Sequence, residues 1–409
     1  MMTEAQFASL AALLFAACLI AMLTRRFGWP YAVGLAAAGI GIAYVPNAPT
    51  IPLSRDLIFN IFLPPLVFEA ALHLGWRSFK RELPVTLLLA FVGVAIAALV
   101  VTAGMHWLVG WSWIGAAFFG VLIAATDPVS VIASFRELRV EPRLSMLVEA
   151  ESLLNDGVVA VAFVVLAAAI AGASSGPVGI AGSFLWTMGG GALIGALAGG
   201  VVLLVAGRTD DHLVEITLTT IAAYGSFMTA EHFHASGVFA SLAAGLVIGN
   251  LGWKGVISER GREHLMSAWD FFAFLANSFV FILIGMQLAI APVLRIGTVT
   301  IAAAVLFVLV GRAAAVYPLS AIFRRSPLAV PISYQHILVW GGLRGALGLA
   351  LALALPAIPE RTAIILTTFI VVAFSLFVQG LTMPVLVKRL GILCEREAMT
   401  SVAGSTDAP

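Results

Sequence analysis

The sequence predicts an all-α integral membrane protein. It reads as about thirteen transmembrane helices in two inverted-topology repeats, with interrupted helices crossing near the midplane. Three observations predict this. Of 409 residues, 61% are hydrophobic and 11% charged, whereas a soluble domain carries roughly 25% charged residues. The basic residues gather in alternate loops. Two apolar segments are each broken by helix-disrupting residues around a single charge, the sequence pattern of a secondary transporter's binding site.

Stretches apolar enough to cross about 30 Å of hydrocarbon fall near 7–24, 30–46, 57–74, 84–106, 114–135, 145–171, 180–206, 213–232, 236–250, 269–291, 296–318, 331–355 and 362–387. The second and ninth are short, and the ninth reads as a run that is broken or tilted. Cytoplasmic loops attract Lys and Arg. With the N-terminus outside, only Arg55, Arg295 and Arg361 lie in outer loops. Arg312 and Arg344 fall inside the membrane, and the other Lys and Arg residues lie on the cytoplasmic side. The C-terminus is therefore expected in the cytoplasm.

The expected partners are a lipid bilayer and small ions. A net charge of +1 gives no reason to expect a nucleic-acid partner. Cys18 and Cys394 sit in the first apolar segment and the polar tail, so no disulfide is expected between them. The residues before the first apolar run include Glu4 and no Lys or Arg, unlike the basic start of a cleavable signal peptide. No stretch fits a soluble domain. Trp253 to His264 suits a surface helix, and the tail over 388–409 reads as short, cytoplasmic and disordered.

The fifth span carries Ala124-Ala125-Thr126-Asp127-Pro128-Val129, and the twelfth Gly341-Gly342-Leu343-Arg344-Gly345. They occupy corresponding places if 1–171 and 213–387 are inverted repeats. Gly189-Gly190-Gly191 and Gly199-Gly200 in the seventh span predict close packing through small residues; a flexible linker helix is the other reading.

Carboxylates inside a membrane are costly and mark ion or proton paths. Asp127 precedes Pro128, which removes a hydrogen-bond donor and leaves nearby carbonyls available to a small cation. Asp156 and Ser152 are four residues apart and share a helix face, where carboxylate and hydroxyl can hold one ion. Glu151 and Asn155 form a second such pair, rotated by about 100°. Oxygen ligands of this kind suit hard cations, and no Cys/His cluster of transition-metal type lies near these two acids. Glu69, near the end of an apolar stretch, belongs either to the same site or to its entrance. Arg312 and Arg344 keep their charge and need partners. Glu151 is the natural one for Arg312. Arg344 can neutralise the ends of an interrupted helix or pair with Glu149. His232 and His234 read as interfacial residues near the outer surface, or as a metal or pH site.

At these motifs the chain resembles the NhaP-type monovalent cation/proton antiporters, relatives of the animal sodium/proton exchangers. The resemblance rests on Leu63-Pro64-Pro65 with Phe68-Glu69-Ala70, Ala125-Thr126-Asp127-Pro128, and Glu151-Ser152-Leu153-Leu154-Asn155-Asp156-Gly157. Phe274-Leu275-Ala276-Asn277-Ser278 with Ile284-Gly285, and Gly341 to Ala346, extend it over nearly the whole membrane portion. It implies a homodimer built from a dimerisation domain (7–74 and 213–291) and a mobile core domain (84–171 and 296–387), joined by a linker helix over 180–206. The implied cation site is Asp156, Asp127, Ser152 and the Thr126 backbone, with Glu69 a further candidate. Glu151 is implied to pair with Arg312 and to contact Asn155. Asn155, where electrogenic relatives carry a second Asp, implies the electroneutral branch. The short tail departs from members with cytoplasmic regulatory domains.

These readings converge on exchange of Na⁺, with K⁺ or Li⁺ as alternatives, for H⁺ at Asp156 and Asp127. No cofactor is expected, and the location implied is a bacterial inner membrane. A cation channel is the first rival. An intramembrane enzyme is the second, weakened by the absence of Gly-x-Ser-x-Gly and His-Glu-x-x-His patterns.

Overall fold

In a computed structural model, the structure describes residues 4–27, 30–45, 53–172, 176–209, 211–253, 256–257, 259–290 and 296–393. Among the described residues the regular elements are all helices, apart from one isolated bridge between Val140 and Leu393. In lipid, backbone polar groups must be satisfied within the chain, and helices do this segment by segment. The helices are α1 (Glu4–Phe27), α2 (Tyr31–Ala43), α3 (Leu57–His73), α4 (Trp76–Val109), α5 (Trp113–Leu122), α6 (Val129–Leu138) and α7 (Pro142–Ile170). They continue as α8 (Gly176–Ala206), α9 (His212–His232), α10 (Gly237–Leu251), α11 (Glu259–Ile290), α12 (Thr298–Ile322), α13 (Ile332–Trp340), α14 (Ala346–Leu353) and α15 (Arg361–Leu390).

Seven of these contain a stretch long and apolar enough to cross a membrane: α4, α7, α8, α9, α11, α12 and α15. The fifth expected span is split into α5 and α6, and the twelfth into α13 and α14. The breaks fall at the two charged motifs. The ninth run is instead one unbroken helix, α10. Its start is fixed by Ser236, whose hydroxyl accepts the Phe239 N–H at 3.3 Å. The polar stretch after Trp253 is taken up in part by α11, which begins at Glu259. Lys254, Gly255 and Ser258 lie outside the described residues, as do Arg295, Cys394 and the tail from 394 onward.

Helix contacts fall into two groups. In one, α2 packs along α11, while α10 packs on α3, α8 and α9. In the other, α4 packs on α5, α7 and α12. Small residues let backbones approach where lipid supplies no hydrophobic drive for association. A Cβ on Gly39 would collide with the Ile282 carbonyl, and one on Gly285 with that of Ala36, so α2 and α11 touch backbone to backbone. Gly191 and Gly195 on α8 are closed in the same way by the Ser236 and Ala240 carbonyls beside α10. The glycines of the seventh span thus include packing contacts, although Gly189 and Gly200 face open space.

Between the groups lies a cavity of about 690 Å³. Its wall comes from α2, α3 and α11 on one side and from α6, α7 and the two helix breaks on the other.

Candidate functional site

The two breaks meet. The Asp127 N–H donates to the Leu343 carbonyl at 2.8 Å, and the Arg344 guanidinium donates to the Ala124 and Ala125 carbonyls at 3.0 and 3.1 Å. Each interrupted helix therefore satisfies backbone groups that the other has freed. The charges also match the helix ends. Asp127 Oδ1 accepts the Val129 N–H at 2.9 Å, placing a carboxylate on the positive N-terminus of α6. Arg344 sits on free carbonyls past the negative C-terminus of α5. At the end of α13, the Leu338 carbonyl accepts from Arg312 Nε at 3.0 Å and the Trp340 carbonyl from Gln379 Nε2 at 2.9 Å. Arg344 is thus a cap for an interrupted helix and not a partner of Glu149, which lines the cavity.

Helix α7 passes this crossing with Glu151 and Asn155 in contact, as their four-residue spacing requires. Arg312 grips Glu151 with two bonds, at 2.7 and 2.6 Å, and both residues are buried. Asn155 Nδ2 donates to Glu151 Oε1 at 3.2 Å and to Thr126 Oγ1 at 2.5 Å. The Asn155 side-chain carbonyl in turn accepts the Thr126 N–H at 3.1 Å. Asn155 therefore links the ion pair to the break that carries Asp127.

One residue on, about 100° round the helix, Asp156 lines the cavity with Asp127 and Thr126. Its Oδ1 is buried and, among the described residues, has no hydrogen-bond partner, a costly arrangement for a carboxylate unless a cation or proton joins it. Ser152 is placed differently from the expectation of a shared ligand face. It lies behind the wall, 3% exposed, with its hydroxyl 3.0 Å from Thr126 Oγ1. Glu69 lines the same cavity but stands with His73, whose Nδ1 is 3.3 Å from Glu69 Oε1.

Sequence reading assigned no site role to Tyr31, His73, Arg136 or Asp270, and none to Asn277 beyond its place in a motif. All but His73 line the cavity, and His73 is in contact with Glu69 and Asp270. Gln379 was also missed; its signal is an amide inside the otherwise apolar α15. His232 and His234 lie at the end of α9, and neither is part of the cavity wall.

A built carboxylate pair at crossed, interrupted helices is a transporter's arrangement, and comparison with known proteins agrees. The family profile described as "Sodium/hydrogen exchanger, transmembrane" matches residues 11–389. The chain belongs to the sodium/hydrogen exchanger family. The Na(+)/H(+) antiporter ApNhaP of Aphanothece halophytica is 39% identical over 373 residues, covering 90% of this chain and 71% of that one. The Na(+)/H(+) antiporter NhaP of Pseudomonas aeruginosa is 34% identical over 348 residues, covering 82% of this exchanger and 81% of the relative. In fold, the exchanger matches the sodium proton antiporter MjNhaP1 of Methanocaldococcus jannaschii with a TM-score of 0.76 at 19% identity, covering 95% and 99% of the two chains. It is a transporter and not an enzyme.

Gly345 holds the exchanger's site open from the facing break. A Cβ there would collide with the Asp127 carboxylate, so only glycine fits this close approach. Gly345→Ala should displace Asp127 at an overpacking cost of about 1–3 kcal/mol, which, borne by the cation-bound state, corresponds to about fivefold to 150-fold in affinity. Cation affinity measured by exchange in vesicles should fall by that factor at equal protein levels; wild-type affinity would show that Asp127 needs no such clearance.

Proposed function

We propose that this protein is a secondary antiporter that exchanges Na⁺ for H⁺ at Asp156 and Asp127, with Li⁺ and K⁺ as the other cations to test. The observation that carries this reading is Asp156 Oδ1, buried without a donor among the described residues in the wall of the cavity it shares with Asp127 and Thr126. Thr126 completes the proposed cation shell, and Ser152 supports it from behind through the Thr126 hydroxyl. A proton or a cation can satisfy the carboxylates, but not both at once, so each expels the other. Either loaded form lets the protein switch sides. The empty site, carrying two uncompensated carboxylates, is too costly to carry across. That restriction turns two independent leaks into exchange.

Glu151, Asn155, Arg312 and Arg344 hold this geometry and are not transported-ion ligands in this reading. The helix groups around α2–α11 and α4–α12 correspond to a stationary dimerisation domain and a moving core domain, with α8 linking them in a homodimer. Arg136 and Glu137, near the end of α6, line the cavity. In the orientation set by the basic loops that end faces the cytoplasm, and the conformation is inward-open. The N-terminus is outside, the C-terminus inside, and the setting is a bacterial inner membrane.

One proton for one cation is the stoichiometry favoured by Asn155, because its amide adds no further titrating carboxylate to Asp156 and Asp127. Steady-state exchange in proteoliposomes should then be indifferent to membrane potential. Rates that change when a potassium–valinomycin potential is imposed would overturn the 1:1 ratio. Currents far above exchange rates would favour a channel.

A further inference from the structure

We propose that Glu69, His73 and Asp270 form a binding site for a divalent transition-metal cation of the zinc class in the cavity wall. Ligand atoms of the three side chains lie within 4.8 Å of one another. Two come from successive turns of α3 and the third from α11, which packs on it, so the site sits within one of the two helix groups.

The imidazole determines what can bind. His73 Nδ1 is 3.0 Å from the Glu69 backbone carbonyl, which can only accept, so Nδ1 carries the hydrogen. In the neutral ring Nε2 is then a bare lone pair, and it faces Asp270 Oδ1 at 3.4 Å. A lone pair facing a carboxylate oxygen is stabilised by a cation between them, a metal ion or a proton. The 3.4 Å separation fits the edge of a tetrahedral metal site, where two ligands at about 2.1 Å lie about 3.4 Å apart.

Orienting one ring nitrogen through a backbone carbonyl while the other ligates is the usual way a metal-binding histidine is held. The Glu69 carboxylate supplies the third ligand. Asp270 is 53% exposed and leaves a path for entry and a fourth position for water. A hard alkali cation has no need of imidazole, whereas zinc-class ions bind it well. The other charged groups lining the cavity in this region are Arg136, Glu137 and Glu149, so acids outnumber the one guanidinium.

The site does not depend on the transport reading, and its test uses no transport. Purified full-length protein in detergent is titrated with Co²⁺, whose visible d–d bands report tetrahedral or five-coordinate nitrogen–oxygen ligation. One equivalent is expected to give bands that Zn²⁺ removes. His73→Gln should abolish them, and Asp270→Asn, at an exposed position, should weaken binding at least tenfold. His264→Gln, where the His212 and His264 rings lie 4.5 Å apart, should leave the titration unchanged. No bands in wild type, or bands retained in His73→Gln, would overturn the proposal and leave a plain histidine–carboxylate contact.

Discussion

Asp156→Asn is expected to abolish cation-induced proton release in everted vesicles, leaving the trace at the level of vesicles without the protein. Asparagine nearly matches aspartate in volume, so the helix and its neighbours have no steric reason to rearrange. What disappears is the charge. Among the described residues Asp156 Oδ1 has no donor, and the cavity it lines is the route by which a partner reaches it. An amide can neither carry a proton on the return step nor neutralise a cation on the forward one. The comparison should be run with sodium, lithium and potassium, since the same experiment identifies the cargo. The protein should still reach the membrane at wild-type levels, because Glu151, Asn155 and Arg312 are untouched. Exchange that persists in the variant would move the essential carboxylate to Asp127 or Glu69 and dismantle the competition scheme.

The second large effect is on stability, at the ion pair between α7 and α12. Arg312 and Glu151 are buried, with two bonds of 2.7 and 2.6 Å. Removing one partner of such a pair costs about 3–5 kcal/mol, because the other charge stays buried. The two single substitutions should not be equal. In Arg312→Met the stranded carboxylate can be discharged by a proton, whereas in Glu151→Gln the stranded guanidinium cannot be neutralised. Glu151→Gln also preserves the shape of the site and an acceptor for Asn155, so its cost isolates charge from packing. Thermal unfolding in detergent should therefore rank wild type first, then Arg312→Met, then Glu151→Gln. The double variant should recover much of the loss, although the Leu338 carbonyl would still lack its donor from Arg312 Nε. A double variant as unstable as the two singles added together would mean that the pair is not coupled and acts through separate contacts.

Much of the site was legible because a membrane makes polar residues conspicuous. Asp127, Asp156, Glu151, Arg312 and Arg344 stand out against apolar neighbours, and Pro128 and the glycines from 341 to 345 mark where helices end. Four-residue spacing was enough to place Glu151 with Asn155, bonded at 3.2 Å. The same rule put Ser152 beside Asp156, yet the serine hydroxyl turns to Thr126. Spacing gives the face of a helix but not which neighbouring chain occupies it. Arg344 had two readings for that reason, and the position of the α5 carbonyls chose between them.

The sequence by itself determined that the protein is a helical membrane protein, where its helices break, and which charges lie in the apolar layer. Those properties follow from local chemistry: hydrocarbon rejects charge and unpaired backbone, whatever the rest of the chain does. Only the tertiary structure decided that residues more than two hundred positions apart share one crossing, with Asp127 on Leu343 and Arg344 on Ala124. It also decided that His73 faces Asp270 across two helices. Such pairings depend on how whole helices pack, and no periodicity within a single helix records its partner.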